Sequence, residues 1–215
     1  LIEACLELMA SDAIVKDYVR LIRPKRREAF LKLVFAPGEA AQVDWGEFGT
    51  IAVGDTRRKL SFFVMVLCYS RRMYLEFFVS QTMEHFLAAH EHAFAAFNAV
   101  PSRIIIDNLK TGVIEHLAGC APIFNQRYLD YSRHCGFSIS ACSVAAGNEK
   151  GRVERMIGFL RHAFFAARPF GAVADLNTQL ARWIAEVAHA RPVPGRREHR
   201  VAEALTAEPP RLLPL

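Results

Sequence analysis

Three acidic residues lie at positions where carboxylates could do chemistry beside buried structure. Asp44 lies in the middle of an alternating, strand-like segment, and Asp107 ends the apolar run RIIID. Glu154 lies in a long predicted helix, beside the apolar residues that repeat along it. A carboxylate next to a buried sheet is unfavourable unless it is paired, hydrogen-bonded or bound to a cation. The position of these acids therefore points to a metal site.

Mg²⁺ is the cation that these three residues suit best. Converging carboxylates repel one another, and divalent cations remove that repulsion. Mg²⁺ takes oxygen ligands and keeps some of its water, so a few carboxylates and a substrate phosphate suffice. Two such ions about 3.5–4 Å apart can activate an attacking oxygen and stabilise a leaving one in phosphodiester transfer. We expect two Mg²⁺ ions at Asp44, Asp107 and Glu154, with Asp44 as the bridging ligand.

The residues alone leave alternatives open. Asp107 could belong to a turn after its strand, since Asp and Asn favour turns, and Asp44 could be a hydrogen-bonded buried acid. Glu149 is the other glutamate of the long helix, but it lies at the helix start, where an acid satisfies the helix dipole. Glu154 has a full turn of helix before it and borders the apolar stripe. The spacing therefore favours Glu154 as the ligand.

The elements that must position these acids form a mixed α/β pattern. Residues 40–55, 58–70 and 73–80 predict three strands joined by short turns, with glycine-centred turns at Gly49 and Gly54. The segments that follow predict alternating helices and strands: helix 82–100 with Thr82 as N-cap, strand 103–107, helix 122–134, strand 137–140, helix 149–168 and helix 175–190. This order predicts a five-stranded mixed sheet with helices on both faces, the ribonuclease H-like topology, in which the first and fourth strands lie side by side.

Composition sets the class of protein. The 215 residues are 52% hydrophobic and 23% charged, with a net charge of +5, which excludes a disordered chain and leans mildly towards a polyanionic partner. The longest apolar run, 60–69, is about half the ~20 residues that a membrane span needs. Five cysteines without a CxxC pair favour a reduced, cytosolic protein without a disulfide framework. The first residue is Leu, so we expect part of a longer protein.

Histidines and tryptophans offer no further site. We predict that His85, His90 and His92 are surface or groove residues, because no cysteine stands at zinc-ligand spacing from them. Trp45 and Trp183 are predicted as core residues rather than platforms for stacked bases.

Three motifs carry a family resemblance. AQVDWGEFG, RIIIDNLKTGV and GNEKGRVERMIGFLR together resemble the catalytic domain of DDE transposases and retroviral integrases, most closely the bacterial insertion-sequence transposases of the IstA type. The likeness covers about residues 30–190. It places the family's two aspartates on Asp44 and Asp107 and its glutamate on Glu154.

The resemblance implies an activity and partners. It implies a DDE-type polynucleotidyl transferase that uses Mg²⁺ to hydrolyse DNA at an element's end and then joins the exposed 3′-hydroxyl to target DNA. It also implies an AAA+ helper ATPase, a homodimer or larger oligomer on DNA, and a cytoplasmic, nucleoid-associated location in bacteria. The alternatives are a ribonuclease H-like nuclease that does not join DNA, and a truncated, non-catalytic DNA-binding or dimerisation relic.

Basic residues are predicted to contact DNA phosphates. Those nearest the carboxylates are Lys110, Lys150, Arg152, Arg155 and Arg161. Others lie in the segment 23–27 and in the tail, at Arg191, Arg196, Arg197 and Arg200. Each of them could instead lie on a solvated face. The predicted organisation is an N-terminal helix and basic hinge (1–30), a ribonuclease H-like catalytic core (31–170), and a C-terminal helix with a basic tail (171–215).

Overall fold

A computed structural model describes residues 33–107, 109, 111–115, 120–142, 147–165, 169–206 and 208, with the side chains of 147–152 left out of the description. These residues belong to one compact unit that begins at Leu33. The predicted helix 1–23 and the basic hinge after it lie outside the described residues. Among the described residues, no helix combines the length and the apolar character needed to cross a membrane.

Three antiparallel strands form one half of the main sheet. They are β1 (Ala41–Val53), β2 (Thr56–Leu67) and β3 (Met73–Phe78). The predicted meander is confirmed: β1 pairs with β2, and β2 pairs with β3. From Leu60 to Leu67, β2 is buried at every residue, as expected of a central strand covered on both faces. Gly49 lies in a register shift within β1 rather than between two strands, and Gly54 makes the turn into β2; both have a φ of 56°.

Two parallel strands complete the sheet. β4 (Arg103–Ile106) pairs with β1, and β7 (Ser138–Ala141) pairs with β4, which gives the order β3-β2-β1-β4-β7. Helix α1 (Met83–Phe97) joins β3 to β4, and helix α2 (Gln126–Cys135) precedes β7. The five-stranded mixed sheet and the adjacency of the first and fourth strands are therefore confirmed.

Helices cover both faces of this sheet. On one face, α1 packs its apolar stripe, including Phe86 and Phe94, against Phe63 and Met65 of β2. On the other face lie α3 (Gly147–Ala163) and α4 (Val173–Trp183), which continues as a π-helical turn over Ile184–Ala188. Trp45 is buried in the first cluster and Trp183 in the second, so both predictions of a core role are confirmed.

Local signals fixed the start of α1 but not that of α2. The Thr82 side chain accepts a hydrogen bond from the His85 amide, so the predicted N-cap is confirmed. The prediction that α2 begins at Pro122 is wrong. Two short strands, β5 (Val113–Glu115) and β6 (Ile123–Phe124), form a hairpin there, and the Asn125 side chain caps α2 by accepting from the Arg127 amide.

His90 also differs from the prediction. Its side chain is fully buried in the first cluster rather than at the surface or in a groove. It occupies the same helical stripe as Phe86, four residues earlier, and its Nδ1 lies 2.8 Å from the Phe86 carbonyl oxygen. The ring is therefore satisfied by protein groups and is a core residue.

The C-terminal tail is folded. Strands β8 (Pro192–Val193) and β9 (Arg196–Arg200) form a hairpin that leads into the short helix α5 (Val201–Leu205). Arg191 donates to the carbonyl of Arg71, and Arg196 donates to the carbonyl of Tyr69 while its guanidinium lies over the Tyr69 ring. These two arginines, predicted to face DNA, also make contacts within the fold.

Candidate active site

Asp44 and Asp107 each follow directly after the last pair of residues that joins two neighbouring parallel strands. The parallel register pairs Ala41 with Ile104 and Val43 with Ile106, and the next residues are Asp44 after Val43 and Asp107 after Ile106. Asp107 comes directly after the last residue of β4. Adjacent strands lie about 4.8 Å apart, so the two residues are held close by the backbone itself. Both side chains are half-buried.

The backbone around Asp44 is fixed by its neighbours. Oδ1 of Asp44 accepts a hydrogen bond of 2.8 Å from the amide of Trp45. The Trp45 ring packs edge-on against Phe63 and Phe78. Gly46 lies opposite Phe62 on β2, and a Cβ at Gly46 would come within 2.0 Å of that ring. Packing on both faces of the sheet therefore constrains the segment that carries Asp44.

Glu154 reaches the region on helix α3. Its neighbour Val153 is buried, and the Val153 amide donates to Oε1 of Gln42 at 3.2 Å. Gln42 lies two residues before Asp44 on β1, so this contact brings the turn of α3 that carries Glu154 over the same strand. Glu154 itself is exposed. The structure thus places the two aspartates directly after the last paired residues of β1 and β4, and the glutamate on the covering helix, next to a residue that touches β1.

The donor set suits a hard cation. Three carboxylates offer only oxygen ligands, the kind that Mg²⁺ prefers, and two aspartates on adjacent strands repel each other unless a cation lies between them. Within the described part of the chain, no group of three His, Cys, Asp or Glu side chains is gathered closely enough to hold a metal ion. The residues fit Mg²⁺ by their chemistry and by the pairing of the aspartates, while Glu154 stands apart from them.

The basic residues predicted to contact DNA are only partly described. Lys110 lies outside the described residues, as do the side chains of Lys150 and Arg152. Arg155 and Arg161 are exposed on α3, on the helix that carries Glu154. They remain predictions.

Sequence reasoning missed two residues that shape the site. Gln42 is 2% exposed, and a polar residue within the buried start of β1 could have marked it. Gly112 was also missed: a Cβ there would lie 2.8 Å from Cδ1 of Ile106, the residue before Asp107. Its close approach shows only in three dimensions, since nothing in the sequence brings Gly112 to β4.

Known proteins with similar sequences are transposases. The chain is 34% identical over 199 residues to a transposase of Aminobacter aminovorans. The matched region covers 92% of this chain and 39% of that protein. It is 33% identical over 173 residues to the transposase for insertion sequence element IS21 of Pseudomonas aeruginosa, covering 80% of this chain and 43% of that protein. The chain is related to the insertion-sequence transposases. It spans less than half the length of each of these two relatives. No protein-family model matches it.

Solved structures with a similar fold include two from retroviruses. A chain of the simian T-cell lymphotropic virus intasome matches 86% of this chain with a TM-score of 0.62 and 14% identity, covering 60% of that chain. The HTLV-2 integrase catalytic core domain in complex with magnesium matches 79% of this chain with a TM-score of 0.52 and 14% identity, covering 97% of the domain. This relative of transposases therefore has the ribonuclease H-like fold of integrase catalytic cores, as the motifs predicted.

Proposed function

We propose that this chain is the catalytic core of a DNA transposase, with Asp44, Asp107 and Glu154 as its metal ligands. The observation that carries the proposal is the parallel register of β1 and β4, whose last pair, Val43 with Ile106, directly precedes the two aspartates. The similarity to insertion-sequence transposases supports it. The magnesium complex of the similarly folded HTLV-2 core supports the choice of metal.

The proposed chemistry is two successive phosphoryl transfers. Two Mg²⁺ ions, replaceable by Mn²⁺, would activate the attacking oxygen and neutralise charge on the phosphate. In the first transfer, water attacks the phosphorus at the element's end, and the bond to the element's 3′-oxygen breaks. In the second, that 3′-hydroxyl attacks a phosphorus of target DNA and displaces the target's 3′-oxygen. Neither transfer needs a nucleophile from the protein.

The chain's own residues would divide the work. Asp44 and Asp107 would hold the cations at the sheet, and Glu154 would complete the set from α3. Arg155 and Arg161, exposed on the same helix, would hold the DNA backbone through its phosphates, a contact that gives affinity without reading sequence.

The partners belong to the same proposal. A transposase acts on two element ends and a target, so the active form would be a dimer or larger oligomer on DNA; the intasome with a similar fold supports this. We also propose an AAA+ helper ATPase, on the resemblance to IstA-type transposases, and action at the bacterial nucleoid in the cytoplasm.

Strand joining tests the proposed function. The 215-residue chain would be incubated with Mn²⁺ or Mg²⁺, a labelled DNA end with a free 3′-hydroxyl, and plasmid. We expect joined product from the wild type, none from Asp107→Asn or Glu154→Gln, and product from Glu149→Gln, the matched change on the same helix. Fragments without joined product would favour the nuclease instead. DNA binding without any metal-dependent reaction would favour the non-catalytic relic.

A further inference from the structure

Gln42 is a buried amide between the sheet and helix α3. Its side chain is 2% exposed, and Oε1 accepts the Val153 amide at 3.2 Å, a contact between residues 111 apart in the chain. Around it, α3 packs Val153, Met156 and Leu160 against apolar side chains of β2. A buried amide costs free energy unless it is hydrogen-bonded. Gln42 therefore has a defined geometry that an apolar residue would not impose.

The two ends of this hydrogen bond lie next to two proposed ligands. Gln42 and Asp44 are two residues apart on β1, so they face the same side of the sheet about 7 Å apart along the strand. Val153 directly precedes Glu154 on α3. One side-chain contact thus links the strand that carries Asp44 to the helix that carries Glu154.

We propose that Gln42 is a positioning residue, which holds the turn of α3 that carries Glu154 over β1, so that the exposed Glu154 side chain can turn towards a cation bound at Asp44 and Asp107. This inference rests on the proposed metal site. Apolar packing alone would let α3 slide or rotate along β1, because such contacts are not directional. The hydrogen bond to a backbone amide is directional and fixes one residue of the helix. Groups that orient metal ligands without touching the metal typically change affinity 10- to 100-fold when they are removed.

The test compares Mn²⁺ affinity in Gln42→Met with the wild type, measured by titration calorimetry on the full chain without DNA. Methionine keeps the length of the side chain and removes the acceptor. We expect Gln42→Met to bind Mn²⁺ at least ten-fold more weakly than the wild type does. In this variant, we expect Mg²⁺ to support strand joining less well than Mn²⁺. If Gln42→Met does not fold, Gln42→Asn keeps the amide but shortens its reach, and the same weakening is expected.

Asn177→Leu is the matched control. Asn177 is also an amide that joins a helix to a strand: its Oδ1 accepts from the Phe77 amide at 2.7 Å, and its Nδ2 donates to the Phe77 carbonyl at 3.2 Å. It lies on α4 over β3, which β2 separates from β1. We expect a similar fall in melting temperature and unchanged Mn²⁺ affinity. An equal loss of affinity in both variants would overturn the inference, because the effect would then be general loosening.

A double variant shows whether Gln42 acts through Glu154. In a Glu154→Gln background, Gln42→Met is expected to weaken Mn²⁺ binding no further, since the ligand that it positions is already gone. Equal Mn²⁺ affinity in wild type and Gln42→Met would overturn this inference alone. If neither the wild type nor Asp107→Asn binds Mn²⁺, the proposed metal site is overturned and this inference with it.

Discussion

Asp44 and Asp107 are 63 residues apart in the sequence, and the parallel register of β1 with β4 has the same offset, from Ala41 with Ile104 to Val43 with Ile106. The register therefore brings the two residues to the same level in the centre of the sheet, Asp44 within β1 and Asp107 one residue past the end of β4. Asp44 is half-buried between the buried residues Val43 and Trp45, and Asp107 is half-buried directly after the buried Ile106. A site built in this way keeps its geometry because strands are more rigid than loops.

Gly46 should be essential for the packing beside Asp44. A Cβ there would come within 2.0 Å of the Phe62 ring, which is fully buried. We expect Gly46→Ala to lower the free energy of unfolding by about 1–3 kcal/mol, the usual range for overpacking a core. Adding Phe62→Leu should recover part of the loss. Gly171→Ala, where a Cβ meets nothing within 4 Å, is the control, and denaturant unfolding is the measurement. A Gly46→Ala protein as stable as the wild type would contradict the packing.

His90 should make stability fall in acid. The Phe86 carbonyl can only accept, so Nδ1–H donates to it and Nε2 accepts from the Tyr128 hydroxyl, which leaves the ring neutral. Burial lowers the pKa of His90 to about 4 from 6.5. As the pH falls, the imidazole of His90 is protonated in the unfolded chain before it is protonated in the folded one. The contribution of the neutral ring to the free energy of unfolding is therefore complete above about pH 6.5 and decreases as the pH drops towards 4.

The comparison of His90→Gln with the wild type isolates this effect. We expect the melting temperature of the variant to fall less than that of the wild type between pH 7 and pH 5. His134→Gln, at an exposed position on α2, should follow the wild type. Parallel curves for wild type and His90→Gln would show that His90 does not cause the pH dependence.

Glu208 should anchor the C-terminal segment to the turn between β2 and β3. It is 1% exposed, and its two carboxylate oxygens accept from the amide and the hydroxyl of Ser70, each at 3.1 Å. Burial raises the pKa of Glu208. Glu208→Ala leaves both donors unsatisfied, so we expect a loss of about 1–3 kcal/mol in the free energy of unfolding. Glu198→Ala, an exposed change on β9, should cost almost nothing. An equal loss of unfolding free energy in the two variants would show that Glu208 does not anchor this segment.

Arg161 should contribute to DNA affinity through a phosphate. We expect Arg161→Ala to weaken DNA binding for all sequences alike and to reduce the slope of log affinity against log salt by about 0.9. Arg182→Ala is the matched control: it is an exposed arginine on α4, paired with Glu186 at 2.8 Å. Fluorescence anisotropy at several salt concentrations gives both slopes. An unchanged slope for Arg161→Ala would place that side chain away from the DNA.

The sequence predicted the sheet because its signals are local. The apolar run of β2 marks a buried strand, and the change from isoleucine to Asp107 marks the end of β4. Thr82 marks the start of α1. The β5–β6 hairpin escaped because its large apolar residues, Ile114 and Ile123, are exposed and give no core pattern. The helical stripe could have shown that His90 is buried, since it lies one turn after Phe86.

Contacts between distant segments were beyond local pattern reading. The bond from Val153 to Gln42 joins residues 111 apart, and the anchor from Glu208 to Ser70 joins residues 138 apart. The folded tail was missed for the same reason, because its arginines and Glu208 find their partners on the β2–β3 turn. Which acid of α3 serves as ligand was argued from helical spacing and stays a prediction.

Anomalous diffraction from crystals of this chain grown with Mn²⁺ tests the metal site most directly. The account predicts an anomalous peak between Asp44 and Asp107, about 2 Å from a carboxylate oxygen of each, with Glu154 turned towards it. The peak should vanish in Asp107→Asn. Full occupancy of Mn²⁺ elsewhere with none between these aspartates, or a peak that persists unchanged in Asp107→Asn, would contradict the account.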